Sequence, residues 1–414
     1  PTAAGDGGET MEAHWYAWAN LLIRWLHITV GIAWIGASFY FNWLENHLQR
    51  EGQKPPGVAG TLWAIHGGGF YYLQKYQVAP EQLPERLHWF KWEAYYTWMS
   101  GFLLLFVVYY LNAGTNLIDP SVAELSPLTA SLIGIGVLIL SWLVYDGLCR
   151  SPLGRRPALL AAVGFILLVA LAWGLSQIFS GRGAYIHVGA AIGTCMVANV
   201  FFVIIPGQRA MVDAMTAGRE PDAARGLAGA QRSRHNNYLT LPVLFIMISN
   251  HFPGTYGSHW NWLILATLMA ASMVIRHYFN IRHLPRPAKI ALPLAGAAGL
   301  VVLIVLTKPS GPAPVDANQP PVPFSQVQSI VQERCAGCHA ARPDFAGFAT
   351  PPKGVRLDTP AQIRAHKTQI GQLAVTTSVM PPGNITRITD DERALLARWL
   401  QQSAEHNSEN RPTE

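Results

Sequence analysis

Residues 18–43 read WANLLIRWLHITVGIAWIGASFYFNW, and Arg24 is the one fully charged side chain in that stretch. A helix needs roughly 20 such residues to cross a hydrocarbon layer about 30 Å thick. Seven more apolar runs follow, near 92–112, 128–146, 157–178, 184–206, 238–252, 260–280 and 287–307. In lipid each must be helical, because an unpaired backbone group finds no water there. The fold expected for residues 15–308 is therefore a polytopic membrane bundle of eight transmembrane helices.

The charges orient that bundle. Arg50, Lys54, Lys75, Arg86 and Lys91 follow the first run, and Arg150, Arg155 and Arg156 follow the third. Arg209, Arg219, Arg225, Arg232 and Arg234 follow the fifth; Arg282, Arg286 and Lys289 follow the seventh. The short intervening loops hold Asp119, Glu124 and Arg182. Positive charge stays on the cytoplasmic side, so both chain ends are expected outside, in the periplasm of a bacterial inner membrane. The net charge of +6 then serves lipid topology and calls for no nucleic acid. The opening PTAAGDGGET lacks a basic segment followed by an apolar core, so residues 1–14 are expected to be a periplasmic tail and not a cleaved signal.

After the eighth run comes SGPAPVDANQPPVPF at 310–324, whose prolines predict an extended linker over 309–323. Within the next segment stands Cys335-Ala-Gly-Cys338-His339, the pattern by which haem c is attached: two thiols form thioethers and the adjacent imidazole binds the iron. A redox CxxC would need a βαβ surround, and a zinc site a second ligand pair; neither is present. Phe324–Val331 predicts an amphipathic helix, and Thr389-Asp390-Asp391-Glu392 caps another that carries Leu395, Leu396, Trp399 and Leu400 on one face. Met380, the only methionine after Met273, lies in the loop between them and is the expected sixth ligand of the iron. Residues 324–405 thus predict a periplasmic, class I-like cytochrome c domain, followed by a tail over 406–414, and the fold class expected for the chain is all-α. Cys149 and Cys195, far apart in sequence, are expected to pack among helices.

Ionisable residues inside spans mark sites by default. Here they are Arg24, His27, Glu93, Asp146, His187, Arg276 and His277. Glu93, Asp146 and Arg276 lie close to the cytoplasmic interface, where reaching back to water makes a charge cheap. His27 and His187 each have a glycine or alanine four residues on, and both fall in the outer half of the membrane. They are either the two axial ligands of a b-type haem or two core histidines; His251 and His259 compete as ligands. No GxGxxG turn is present for a flavin. Two segments look like binding surfaces, Trp63–Tyr76 leading to Leu87–Glu93, and Arg232–Thr240 with its paired asparagines.

The stretches WLHITVGIAWIGASFYFNWLENHL, HGGGFYYLQKYQVAPEQLPERLHWFKWEAYYTWMSG and SRHNNYLTLPVLFIMISNHFP, followed by CAGCH, resemble the bacterial membrane-bound, cytochrome c-linked urate oxidases (urate hydroxylases). The resemblance runs from about residue 12 to the end; the first helix alone also resembles small membrane haem proteins of the protoporphyrinogen oxidase kind. It implies oxidation of urate to 5-hydroxyisourate, with electrons passed to the fused cytochrome and on to a soluble cytochrome c or a terminal oxidase, not directly to dioxygen. The motif carries Cys335, Cys338, His339 and Met380 over to haem c. For urate itself the candidates are His66, His88 and His235 as general base and Glu93, Asn236 and Asn237 as orienting groups. The competing classes are a quinol or porphyrinogen dehydrogenase, and a non-enzymatic electron-transfer subunit of a terminal oxidase.

Overall fold

The computed structural model describes residues 6–284, 287–308, 320–345 and 350–409. In chain order it runs α1 (Asp6–His47), a hairpin of β1 (Val58–His66) and β2 (Gly69–Tyr76), α2 (Trp92–Leu105), α3 (Ala113–Asn116), α4 (Pro127–Arg150), α5 (Pro157–Ser176), α6 (Gly181–Ala198), α7 (Ile205–Thr216), α8 (Ala223–Ser249), α9 (Pro253–Tyr256), α10 (Asn261–Ile281) and α11 (Ala291–Leu306). The tail adds α12 (Phe324–Arg334), α13 (Ala336–His339), α14 (Pro360–Ala365), α15 (Lys367–Ile370) and α16 (Asp390–Glu409).

Local chemistry sets the helix starts. Ser126 accepts from the Thr129 amide ahead of Pro127, Ser180 accepts from Gly183, and Asp222 accepts from Ala224. Two π-turns interrupt the ladder, Phe106–Tyr110 after α2 and Asn199–Ile204 between α6 and α7. Such turns add a residue and re-aim side chains; here they carry Tyr109, Tyr110 and Asn199 into the interior.

All eight apolar runs fall on helical segments. Five helices are long and apolar enough to cross a membrane: α1 from His14, α4, α5, the continuous α6–α7 and α10. The other three are shorter or mixed. α2 has 14 residues before its π-turn, α8 begins with the polar run Ala223–Asn237, and α11 has 16 residues. α6 is the central helix. Its Gly183, Ala184, Gly189 and Ala191 let α4 and α8 approach closely, as small residues do between membrane helices. Around it Tyr109, Leu117, Phe179, Tyr185, Ile192, Ile246 and Met269 form the main core.

One expectation is corrected. The chain is not all-α, because residues 58–76 form an antiparallel hairpin. Gly67 (φ +58°) and Gly68 (φ +80°) make its turn, a backbone that glycine adopts without strain. The hairpin displays Trp63, Ile65, Phe70, Tyr71 and Tyr72 to the surroundings. The alternation of small and aromatic residues there was a strand signal that the surrounding apolar runs obscured.

The tail has its own core of Val327, Val331, Leu357, Ile363, Ile388, Leu396 and Trp399. It seats on the bundle loops around Gly114–Ile118 and Gly257 through the segment Thr377–Asn384. A Cβ added to Gly257 would overlap the Thr377 carbonyl and stand 2.5 Å from Val379 Cγ2. One added to Gly383 (φ +57°) would stand 2.5 Å from the Ile118 carbonyl oxygen and 2.9 Å from that of Gly114. Val379 packs on the main core, and Arg387 meets Glu124 at 3.4 Å. Substituting Gly257→Leu therefore weakens this seating by roughly 1–3 kcal/mol, the usual cost of overpacking. Hydrogen exchange should show amides of Gly114–Ile118 and Thr377–Asn384 losing protection together, and unchanged protection in the variant would refute the contact.

Candidate functional site

The tail builds one site around α13. Cys335 and Cys338 are unpaired thiols at its start and third turn position. Burial pushes the Cys335 thiol up to about 11. A dithiol built for redox exchange has the opposite shift, so the chemistry here is that of a neutral, held thiol. The His339 Nδ1 lies 3.0 Å from the Val355 carbonyl oxygen. A carbonyl only accepts, so Nδ1 carries the proton and Nε2 keeps a free lone pair, the tautomer that binds a metal.

Met380 is held from two sides. Its amide donates to the Leu373 carbonyl at 2.8 Å, and the Arg393 Nη1 donates to the Met380 carbonyl at 3.0 Å and to the Ala374 carbonyl. Arg334, immediately before Cys335, clamps α16: its Nε meets both oxygens of Glu392 at 3.1 Å and its Nη1 donates to the Thr386 carbonyl at 3.0 Å. Partial burial alone would raise the Glu392 carboxyl, but the Arg334 guanidinium and the Thr389 amide bring it below its usual value.

The bundle builds two polar clusters, on opposite faces of α8. In the first, Arg232 is 3 % exposed and pairs with Asp146 at 2.7 Å. Asn199 donates to Tyr145 Oη (3.0 Å) and to Asn236 Oδ1 (2.8 Å), Asn236 donates to the Met196 carbonyl, and Tyr145 bonds His235 Nδ1 at 2.8 Å. In the second, Asn237 Oδ1 accepts from Arg276 Nε and from Asn280 Nδ2, each at 2.9 Å. Asn42 on α1 extends this chain by donating to Asn280 Oδ1.

The structure thus sorts the sequence candidates. His235 and Asn236 share the first cluster, and Asn237 belongs to the second. His66 sits exposed at the hairpin tip, and His88 is exposed with its ring edge-on to Phe90. Glu93 is half-buried, with one carboxylate oxygen buried and without a partner. Asp146 and Arg276 are corrected: instead of reaching back to water, Asp146 pairs with a buried arginine and Arg276 is itself 8 % exposed. The residues missed were Asn199, Asn280 and Asn42; the sequence marks Arg232 only as the start of a binding segment and as a loop charge. Arg276 and Asn280 stand four apart on α10, a spacing that puts both on one face and was readable in the sequence.

The two histidines read either as a haem b pair or as core residues each have partners of their own. His27 Nδ1 faces the Thr97 carbonyl and Ser100 Oγ, both at 3.1 Å. His187, fully buried beside Phe179, faces the Gly183 carbonyl through Nδ1 at 2.8 Å and Tyr110 Oη through Nε2 at 3.1 Å. Each imidazole thus has its own neighbours, and no step is routed through a group between them. His251 and His259 are exposed on the outer loop.

With this geometry in hand, comparison shows that the family described as urate oxidase N-terminal matches residues 13–308. No curated protein and no solved structure matches the chain.

The Arg334–Glu392 clamp sets an acid limit on the tail. A carboxyl held below its ordinary value of 4.5 stabilises fully above that value, and the contribution is lost as pH falls through the folded value. Thermal unfolding of the tail should therefore fall to lower temperature between about pH 5 and about pH 3. Glu392→Gln should melt lower than wild type at neutral pH and show a flatter acid limb; parallel acid limbs would exclude the clamp as the cause.

Proposed function

Because the chain belongs to the urate oxidase N-terminal family over residues 13–308, most of its length, we propose that it oxidises urate to 5-hydroxyisourate at an inner membrane and delivers the electrons to a haem c in its own tail. The observation that carries this reading is the seating of the Met380 loop directly on the outer loops of the family's domain. An acceptor held there has no use if dioxygen takes the electrons at the substrate.

The tail residues fit haem c. Cys335 and Cys338 supply neutral thiols, His339 the lone pair of Nε2, and Met380 a thioether whose loop Arg393 pins in place. When bound, this haem takes up one electron at a time. Urate and water yield 5-hydroxyisourate, two protons and two electrons, so two transfers complete one turnover. The five long apolar helices, with α2, α8 and α11 completing eight crossings, keep the tail on the side away from the basic loops. A soluble cytochrome c or a terminal oxidase then collects the electrons. Of the three histidines considered as general base, His66 and His88 are exposed and His235 is bonded to Tyr145 in the first cluster.

A quinol dehydrogenase is the second reading. It is favoured by an apolar groove of about 720 Å³ between Val78–Leu87 and the Met211 and Met215 side chains of α7.

Anaerobic addition of urate to the oxidised protein should reduce the tail haem, two tails per urate consumed, whereas a quinol should not. His339→Ala should abolish that reduction while leaving the bundle folded. Undiminished urate turnover in His339→Ala would refute the electron route, and reduction by quinol alone would replace urate as substrate.

A further inference from the structure

A buried charge without a counter-charge is costly, and proteins normally pair it. Arg232 follows that rule through Asp146. Arg276 does not: at 8 % exposure, it has no carboxylate within ion-pair distance among the described residues. Its Nε is committed to Asn237, its guanidinium lies 4.2 Å from the centroid of the Phe39 ring, and its two terminal nitrogens have no hydrogen-bond partner among the described residues. Asn237, 3 % exposed, likewise has its Nδ2 buried without a partner.

Beside these groups is a cavity of about 180 Å³ lined by Phe39, Asn42, Trp43, Arg276, Phe279 and Arg282. It lies between the last turns of α1 and α10, at the end of α10 opposite the Gly257 turn on which the tail seats. We infer that this cavity binds a planar, anionic, amide-edged heterocycle, the class to which urate belongs. The inference rests on the function proposed above and names the site that function requires.

Each wall matches one property of such a ligand. The guanidinium fork meets two adjacent acceptors in one plane and supplies the missing counter-charge. The Phe39, Trp43 and Phe279 rings supply its apolar wall. Asn42, whose Nδ2 donates to Asn280, lines the cavity and keeps its Oδ1 to accept from a ring N–H. A second arginine, Arg282, keeps the cavity positive. A volume of about 180 Å³ admits a bicyclic ring.

The test uses the purified full chain with its haem, and equilibrium dialysis against radiolabelled urate. Wild type should bind, and Arg276→Gln should bind roughly tenfold or more weakly, the loss expected for a charge-assisted bidentate contact. Arg276→Lys, which keeps the charge without the fork, should fall between them. Asn42→Ala sits at the cavity edge and guards against misfolding of the arginine variants; it should weaken binding several-fold with the haem spectrum and melting temperature unchanged. Wild-type affinity in folded Arg276→Gln and Asn42→Ala would overturn the site. If urate reduces the tail haem with the same half-saturating concentration in all variants, the cavity is refuted while the proposed function stands. If urate neither binds to nor reduces the wild type, the function fails and this inference falls with it.

Discussion

A hydrocarbon layer offers a polar group no partner, and every feature of the bundle answers to that constraint. For the backbone it means uninterrupted helices, relaxed only where an interior partner exists. The two π-turns are such places: Asn116 reaches back to the Val108 carbonyl, and Asn199 is shared between Tyr145 and Asn236. For side chains the constraint means clusters. Asp146 answers Arg232, three asparagines answer one another, and the small residues of α6 bring the helices near enough for these bonds to form. Against that background Arg276 stands out, a cation whose charge no acid answers.

The tail obeys a different economy, that of a small domain in water. Its apolar core is modest, and two arginines do much of the fixing. Arg334 joins the residue before Cys335 to the first turn of α16, and Arg393, from that same helix, holds the Met380 loop. The start of the Cys335–His339 motif and the Met380 loop are therefore referred to one helix, so that a movement of α16 would shift them together. Proximity of the Met380 loop to the bundle follows from glycines that remove the bulk otherwise standing between them.

Much of this was legible in the residues. Hydropathy located all eight helical stretches, because a run such as 157–178 admits no other structure in lipid. The Cys335–His339 motif marked the tail as a candidate site by its spacing alone. The hairpin was missed because its strand alternation is embedded in aromatic sequence, and aromatics are equally at home in an interfacial helix. The asparagine clusters were half legible. Asn236 and Asn237 were visible as a pair, but adjacent residues of a helix point about 100° apart, and which neighbours each would meet depended on how α8 packs. His27 and His187 share similar local sequence, and the packing gives each its own hydrogen-bond partners.

The Arg276 cavity and the Gly257 turn stand at opposite ends of α10, and 15 residues of helix between them amount to about 22 Å. On the proposed topology, with the basic loops facing the cytoplasm, an electron that travels from one to the other leaves the electrically negative compartment for the positive one. That displacement is downhill by about 2.3 kcal/mol for each 100 mV it traverses. A protein laid out in this way spends membrane voltage on each substrate it consumes, so an energised cell drives the oxidation further than the bare difference in redox potentials would.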